Sequence, residues 1–157
     1  MNRAGSAYPI LLTALDRVQT VVIGGGRVSE RKTAGLLEAK ARIRLISPQV
    51  TARLQEWAAQ GLLQWIQRGY QRGDLAGAWL AVVATNQREV NALAAGEARE
   101  RGILCNVADA PAEGNFHVPA VYRGKREIVA VSTFSGNPAL AAALREHIIE
   151  QLKKERR

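Results

Sequence analysis

Val21-Val22-Ile23-Gly24-Gly25-Gly26-Arg27-Val28-Ser29-Glu30-Arg31-Lys32 joins a β-branched run to three glycines and then to a helical pattern. A strand that ends in glycines and turns directly into a helix is a common way to hold the phosphates of a dinucleotide. Gly24 can take the tight turn out of the strand, and Gly26 lets backbone approach a pyrophosphate. Small Ser29 stands where a third glycine or alanine allows close helix–strand packing. The helix that follows would point its free N–H groups at the bound anion. Glycine triplets also serve turns and caps, so the rest of the chain has to decide between these uses.

Outward from this loop, strand and helix patterns alternate. Thr20 to Ile23 read as a first strand and Val28 to Ala39 as a helix with Ala34, Leu36 and Leu37 toward the sheet. Arg42 to Ile46 form a second strand, Thr51 to Gln60 a helix and Leu62 to Ile66 a short third strand. After a turn at Arg72-Gly73-Asp74, Trp79 to Ala84 have the continuous apolar character of a strand buried on both faces. Gln87 to Arg101 are helical, closed by Gly102 where a left-handed cap is common, and Ile103 to Val107 make the next strand. This β-α-β-α-β-β-α-β series predicts a mostly parallel sheet with right-handed crossovers.

Beyond about Ala108 the pattern changes. His117 to Tyr122 and Glu127 to Val131 are strand-like runs joined by Arg123-Gly124-Lys125-Arg126, which predicts a hairpin. Asn137 can cap a last helix with Pro138 in its first turn, and Leu140, Leu144, Ile148 and Leu152 recur along it at every fourth residue. That stripe suits packing on the hairpin or on a second subunit, and the subunit is preferred. The expected fold class is therefore α/β: a Rossmann-like, mostly parallel, doubly wound sheet followed by a small β-hairpin and a C-terminal helix. The expected division is a nucleotide-binding domain over 1–108 and a dimerisation and substrate extension over 109–157.

The 157 residues, 47% hydrophobic and 23% charged, suit one ordinary globular domain with a real core. No apolar run approaches bilayer length and Met1 to Tyr8 lack a signal-peptide core, so a cytoplasmic protein without membrane contact is expected. Cys105 stands alone, so no internal disulfide is expected, and His117 and His147 give no structural zinc spacing. The net charge of +8 attracts polyanions. Nucleic acid is disfavoured as the partner, because aromatics make up only 5% of the chain and the basic residues are spread over several elements without a docking motif.

Several short motifs in order resemble the precorrin-2 dehydrogenase family of sirohaem synthesis over nearly the whole chain. They are Tyr8-Pro9-Ile10, the loop Gly24 to Lys32 with both basic residues, Ala84-Thr85-Asn86 followed by Val90-Asn91, and Cys105-Asn106-Val107-Ala108-Asp109 with Phe116 and Pro119 beyond it. Ala130 to Thr133 then lead through Pro138 to Leu144-Arg145-Glu146.

The resemblance implies oxidation of precorrin-2 to sirohydrochlorin with NAD as cofactor. It implies a dinucleotide over Gly24, Gly26, Arg27 and Val28, with Ser47, Pro48 and Gln49 on the adenosine side and Thr85 and Asn86 at the carboxyl end of the fourth strand. Asp109 matches the family's essential acid, suited to take a proton from the macrocycle; without the resemblance it would read as a turn or cap residue before Pro111. Precorrin-2 is a polycarboxylate, so Asn106, His117, Arg123, Lys125 and Arg126 are the expected substrate contacts. Of Arg31 and Lys32, one is expected near phosphate and one in solvent. A homodimer is implied, and insertion of ferrous iron, known in some relatives, stays open because no cluster here argues for a dedicated metal site.

Three departures qualify the match. Leu45-Ile46-Ser47-Pro48-Gln49 lacks the acidic residue that usually binds the adenine ribose, so the choice of NAD over NADP rests on the resemblance. Phe134 replaces a glycine of the family's turn after Ser132-Thr133. The chain also stops at Arg157, short of a further helical segment in many relatives. A non-catalytic NAD-binding sensor would use the same glycine loop but has no need of Asn106 to Asp109.

Overall fold

A computed structural model describes residues 7–133 and 137–155 of the chain. Phe134, whose role the sequence leaves open, and Ser135 lie outside the described residues, as do Arg156 and Arg157. Two compact units emerge, Leu11–His117 and a smaller one that joins residues 7–10 to the chain from Val118 onward.

The first unit is a five-stranded, all-parallel sheet in the order β3-β2-β1-β4-β5, built from β1 (Gln19–Ile23), β2 (Arg42–Ile46), β3 (Gln64–Ile66), β4 (Ala78–Val83) and β5 (Leu104–Val107). The helices α1 (Arg27–Glu38), α2 (Ala52–Ala59) and α3 (Arg88–Glu100) connect them. Strand order reverses between β1 and β4, the switch point outside whose carboxyl ends such sheets bind ligands.

Alternating side chains divide the core between the two faces. Val21 and Ile23 of β1, Ala81 and Val83 of β4, and Cys105 and Val107 of β5 pack with Ala94, Ala95 and Ala98 of α3. Val22, Leu45 and Val82 face the other way, with Leu54 of α2 and the half-buried Leu36 and Leu37 of α1. Full burial of each valine, leucine or isoleucine among them stabilises the fold by roughly 1.5–3 kcal/mol. Asn106, between Cys105 and Val107, must then lie on the α1 side of β5.

Local chemistry explains the boundaries. Thr51 caps α2 by accepting the Leu54 N–H at 3.3 Å, and Gly102 ends the third helical segment at φ +66°. Leu80 to Val83 are buried as expected, while Trp79 at the start of β4 remains 41% exposed. On α1 the fully buried positions are the small polar residues Ser29 and Thr33. The helix lies close enough to β1 and β4 there that its leucines pack only from the far turn.

In the second unit, β6 (Ala120–Arg123) and β7 (Ile128–Val131) form an antiparallel hairpin closed by a bond from Gly124 N–H to the Glu127 carbonyl. The first hairpin strand begins three residues later than its pattern predicts. Asn115 is tied to β5 through both backbone and side chain, and Pro119 has no N–H to offer a ladder. Asn137 caps α4 (Pro138–Glu155), its Oδ1 accepting the N–H groups of Ala139 and Leu140. Ala141 and Ile149 are the buried positions of that helix, whereas Leu140, Leu144 and Ile148 stay exposed. No helix among the described residues is long and apolar enough to cross a membrane.

Candidate functional site

The glycine loop is shaped by close backbone approach. Gly24 has φ +115°, and a Cβ there would lie 2.3 Å from the Ala84 carbonyl oxygen; one on Gly25 would lie 1.9 Å from that of Gln49. Gly26 differs, since a Cβ on it would meet nothing within 4 Å, so the space above it is open. Gly24 and Gly25 therefore serve the turn, and Gly26 faces the space a ligand would take. The first helical bond runs from Glu30 N–H to the Gly26 carbonyl, and Gly26 has no side chain to cap the turn. The amides of Arg27, Val28 and Ser29 precede the helical ladder, which makes this helix start a site for anionic groups. Exposed Val28 borders it. Buried Ser29 donates to the Ala84 carbonyl at 3.3 Å, filling the packing role expected of the third small residue.

Around the loop, the backbone after β2 is held in place. Thr51 N–H bonds to the Gly25 carbonyl at 2.9 Å, Ser47 Oγ donates to Gln49 O at 2.6 Å and Trp65 Nε1 donates to Ser47 O at 2.8 Å. Ser47 is buried in these contacts, while Pro48 and Gln49 are exposed. Thr85, after β4, is clasped by buried Asn91, which accepts from Thr85 Oγ1 at 2.6 Å and returns Nδ2–H to the Thr85 carbonyl at 3.1 Å. Asn86 is left exposed beside them.

Asp109 follows β5 at the same carboxyl edge of the sheet and has a 38% exposed side chain. Arg88, at the start of α3, donates to Asp109 Oδ2 at 3.0 Å and through its other nitrogen to Glu113. Partial desolvation pushes the Asp109 carboxyl up, but hydrogen bonds from Asn91 and Arg88 outweigh it and hold the group below the ordinary aspartate value. A carboxylate so placed is ionised at neutral pH and can accept a proton.

Asn106 is buried, its Nδ2–H donated to the Phe116 carbonyl at 3.1 Å and its Oδ1 accepting from Lys32 Nζ at 2.7 Å. Arg31 is exposed and Lys32 half-buried, its ammonium disfavoured first by burial and then by the Arg31 charge. His117 is exposed and makes no hydrogen bond among the described residues. Arg123 closes β6, with Lys125 and Arg126 exposed in the hairpin turn. Burial pushes the Cys105 thiol up to about 11, so it is an inert core residue. No group of three or more His, Cys, Asp or Glu able to hold a metal forms among the described residues.

Sequence reading had assigned no role to Arg88, Glu113 or Asn91, or to the pairing of Lys32 with Asn106. The spacing of Asp109 and Glu113 was a usable signal, since two carboxylates four residues apart invite a shared cation. The contact itself depends on where α3 begins.

Residues 11–120 match the family described as "Putative NAD(P)-binding". The solved structure of SirC, a precorrin-2 dehydrogenase, superposes with a TM-score of 0.82 at 30% identity, covering 92% of this chain and 71% of that one. The chain belongs to the precorrin-2 dehydrogenase family. Its sequence is also 37% identical over 141 residues to siroheme synthase 1 of Aeromonas salmonicida, and 36% identical over 146 residues to the siroheme synthase of Xylella fastidiosa. These alignments cover 90% and 92% of this chain but only 30% of each of those proteins, so the family member described here spans under a third of their length.

Proposed function

We propose that this chain oxidises precorrin-2 to sirohydrochlorin with NAD, as a cytoplasmic homodimer. The observation that carries the reading is the open glycine cradle after β1 together with the ionised, accessible carboxylate of Asp109 after β5, at one edge of the sheet. The cradle suits a dinucleotide pyrophosphate on the Gly26 side, with Arg27 and Val28 at the helix start, Pro48, Gln49 and Ser47 toward the adenosine, and Thr85 and Asn86 beside the nicotinamide half.

When bound, NAD supplies the hydride acceptor. The chain's own part is to position the macrocycle and take up the proton lost with the hydride. Asp109 Oδ accepts that proton, and Arg88 and Asn91 keep it ionised beforehand. Asn106, its amide fixed by the Phe116 carbonyl and Lys32, is a further substrate contact. His117, Arg123, Lys125 and Arg126 supply donors and charge for the substrate carboxylates. The exposed row Leu140, Leu144 and Ile148 on α4 supports a second copy as the covering partner.

Purified chain mixed with precorrin-2 and either NAD or NADP tests this, with the absorbance of sirohydrochlorin and reduced nicotinamide followed together. Matched appearance of both products, faster with NAD, is expected. NAD binding without turnover would instead make the chain a nucleotide sensor.

A further inference from the structure

Lys32 belongs to the glycine-loop motif, yet the dinucleotide does not explain its placement. It leaves α1 in its second turn, and its ammonium ends on Asn106 of β5, not at the helix start. In the sheet order, β5 lies beyond β4 and β2 lies on the opposite side of β1. The amine thus sits on the side of the switch point that carries Asp109, away from the Ser47 to Gln49 loop.

Its environment is unbalanced. Burial and the neighbouring Arg31 both work against the charged amine, and no carboxylate pairs with it among the described residues. An ammonium carries three donors, and Asn106 Oδ1 accepts one of them. Asn106 cannot turn over to help, because its Nδ2–H is bound to the Phe116 carbonyl and a flip would set an amide N–H₂ against the ammonium. A half-buried cation with donors to spare and a fixed neutral neighbour is a favourable seat for an anionic group.

We propose that Lys32, seated on Asn106, is the counter-ion for one carboxylate of the tetrapyrrole, and so sets affinity for substrate and not for the dinucleotide. The assignment rests on the functional reading above. It makes Asn106 an orienting partner whose oxygen holds the lysine toward the ligand. Phosphate of the dinucleotide could satisfy the same amine chemically, so the test separates the two anions.

The wild-type chain, Lys32→Met and Lys32→Arg are titrated with sirohydrochlorin by absorbance and, separately, with NAD by tryptophan fluorescence. Neither titration needs turnover. Steady-state kinetics with precorrin-2 follow. Lys32→Met is expected to weaken sirohydrochlorin binding by about tenfold or more, the scale of one charge-assisted hydrogen bond, and to raise KM in parallel. NAD affinity should hold within about twofold, and Lys32→Arg should recover most of the loss. A loss confined to NAD would assign the amine to pyrophosphate and overturn the proposal, as would unchanged affinity for both. Should Lys32→Met fail to fold, Lys32→Gln and Lys32→Arg carry the same comparison. A wild type that binds sirohydrochlorin through Lys32 but does not turn over precorrin-2 would sink the reaction and leave the subsite standing. Turnover with no effect of either substitution would do the reverse.

Discussion

Arg88 Nη1 donates to Asp109 Oδ2 at 3.0 Å while its Nη2 donates to Glu113, so one guanidinium on α3 spans the proposed acid and a second carboxylate. All three side chains are about 40% exposed, so the pair contributes little to folding. Its effect falls on protonation. Desolvation raises the Asp109 pKa, and the Asn91 and Arg88 hydrogen bonds more than reverse that. Replacing Arg88 by Met is expected to move the acidic limb of the kcat/KM profile to higher pH, with Lys partly restoring it. Asp109→Asn should lower turnover by about 10²–10⁴ with NAD binding intact. An unmoved acidic limb in Arg88→Met would show that Asp109 is not the group being titrated.

Neighbouring glycines should separate folding from binding. A Cβ on Gly25 would collide with the Gln49 carbonyl at 1.9 Å, so Gly25→Ala is expected to cost about 1–3 kcal/mol in urea unfolding. At Gly26 the space is open, and Gly26→Ala should cost less than about 1 kcal/mol yet weaken NAD binding at least tenfold in a fluorescence titration. Equal NAD affinity in Gly26→Ala would place the pyrophosphate elsewhere.

Glu97 is 1% exposed and accepts from Tyr70 Oη, from the Gly73 N–H at 2.9 Å and from Arg101 Nε at 2.7 Å. It staples the loop between β3 and β4 to α3. Burial pushes its carboxyl up, but the three donors together hold it below the ordinary glutamate value. Glu97→Ala is expected to lose about 2–3 kcal/mol at neutral pH, because the donors are left unpaired. A depressed pKa stabilises above the unfolded value and loses that contribution as pH falls through the folded one, so the gap between wild type and variant should narrow in acid. A gap that widened in acid would reverse the sign assigned here.

Thr33 Oγ1 on α1 and Thr20 Oγ1 on β1 are buried and have no hydrogen-bond partner among the described residues. Thr33→Val keeps the shape and removes the unpaired hydroxyl, so stability should stay level or rise by up to about 1 kcal/mol. A loss above that, measured by thermal or urea unfolding, would reveal a partner for the hydroxyl.

Leu140, Leu144 and Ile148 are 46%, 42% and 39% exposed along one side of α4. Sedimentation of the wild type should report a dimer, and Leu144→Glu should shift it to monomer without lowering helix content. A monomeric wild type would leave this row to a different partner.

The parallel sheet was legible because its signals are local. The β-branched run before Gly24, the left-handed Gly102 and the Asn137-Pro138 start all act within a few residues. The glycine cradle was legible for the same reason, since a left-handed backbone or a close backbone approach, as at Gly24 and Gly25, needs glycine wherever it occurs. The start of the hairpin at Ala120 was not, because the tie between Asn115 and Cys105 crosses 10 residues.

By itself, then, the sequence determined the strand and helix order, the phosphate-ready turn at Gly24 to Gly26 and the family resemblance that pointed to Asp109. Tertiary structure alone decided what surrounds that acid. Arg88 meets Asp109 across 21 residues and Lys32 meets Asn106 across 74, contacts set by the sheet order that places β4 beside β1 and β5 beside β4. Periodicity reports which face a residue occupies, but only the folded sheet brings distant charges within hydrogen-bond reach and changes their protonation.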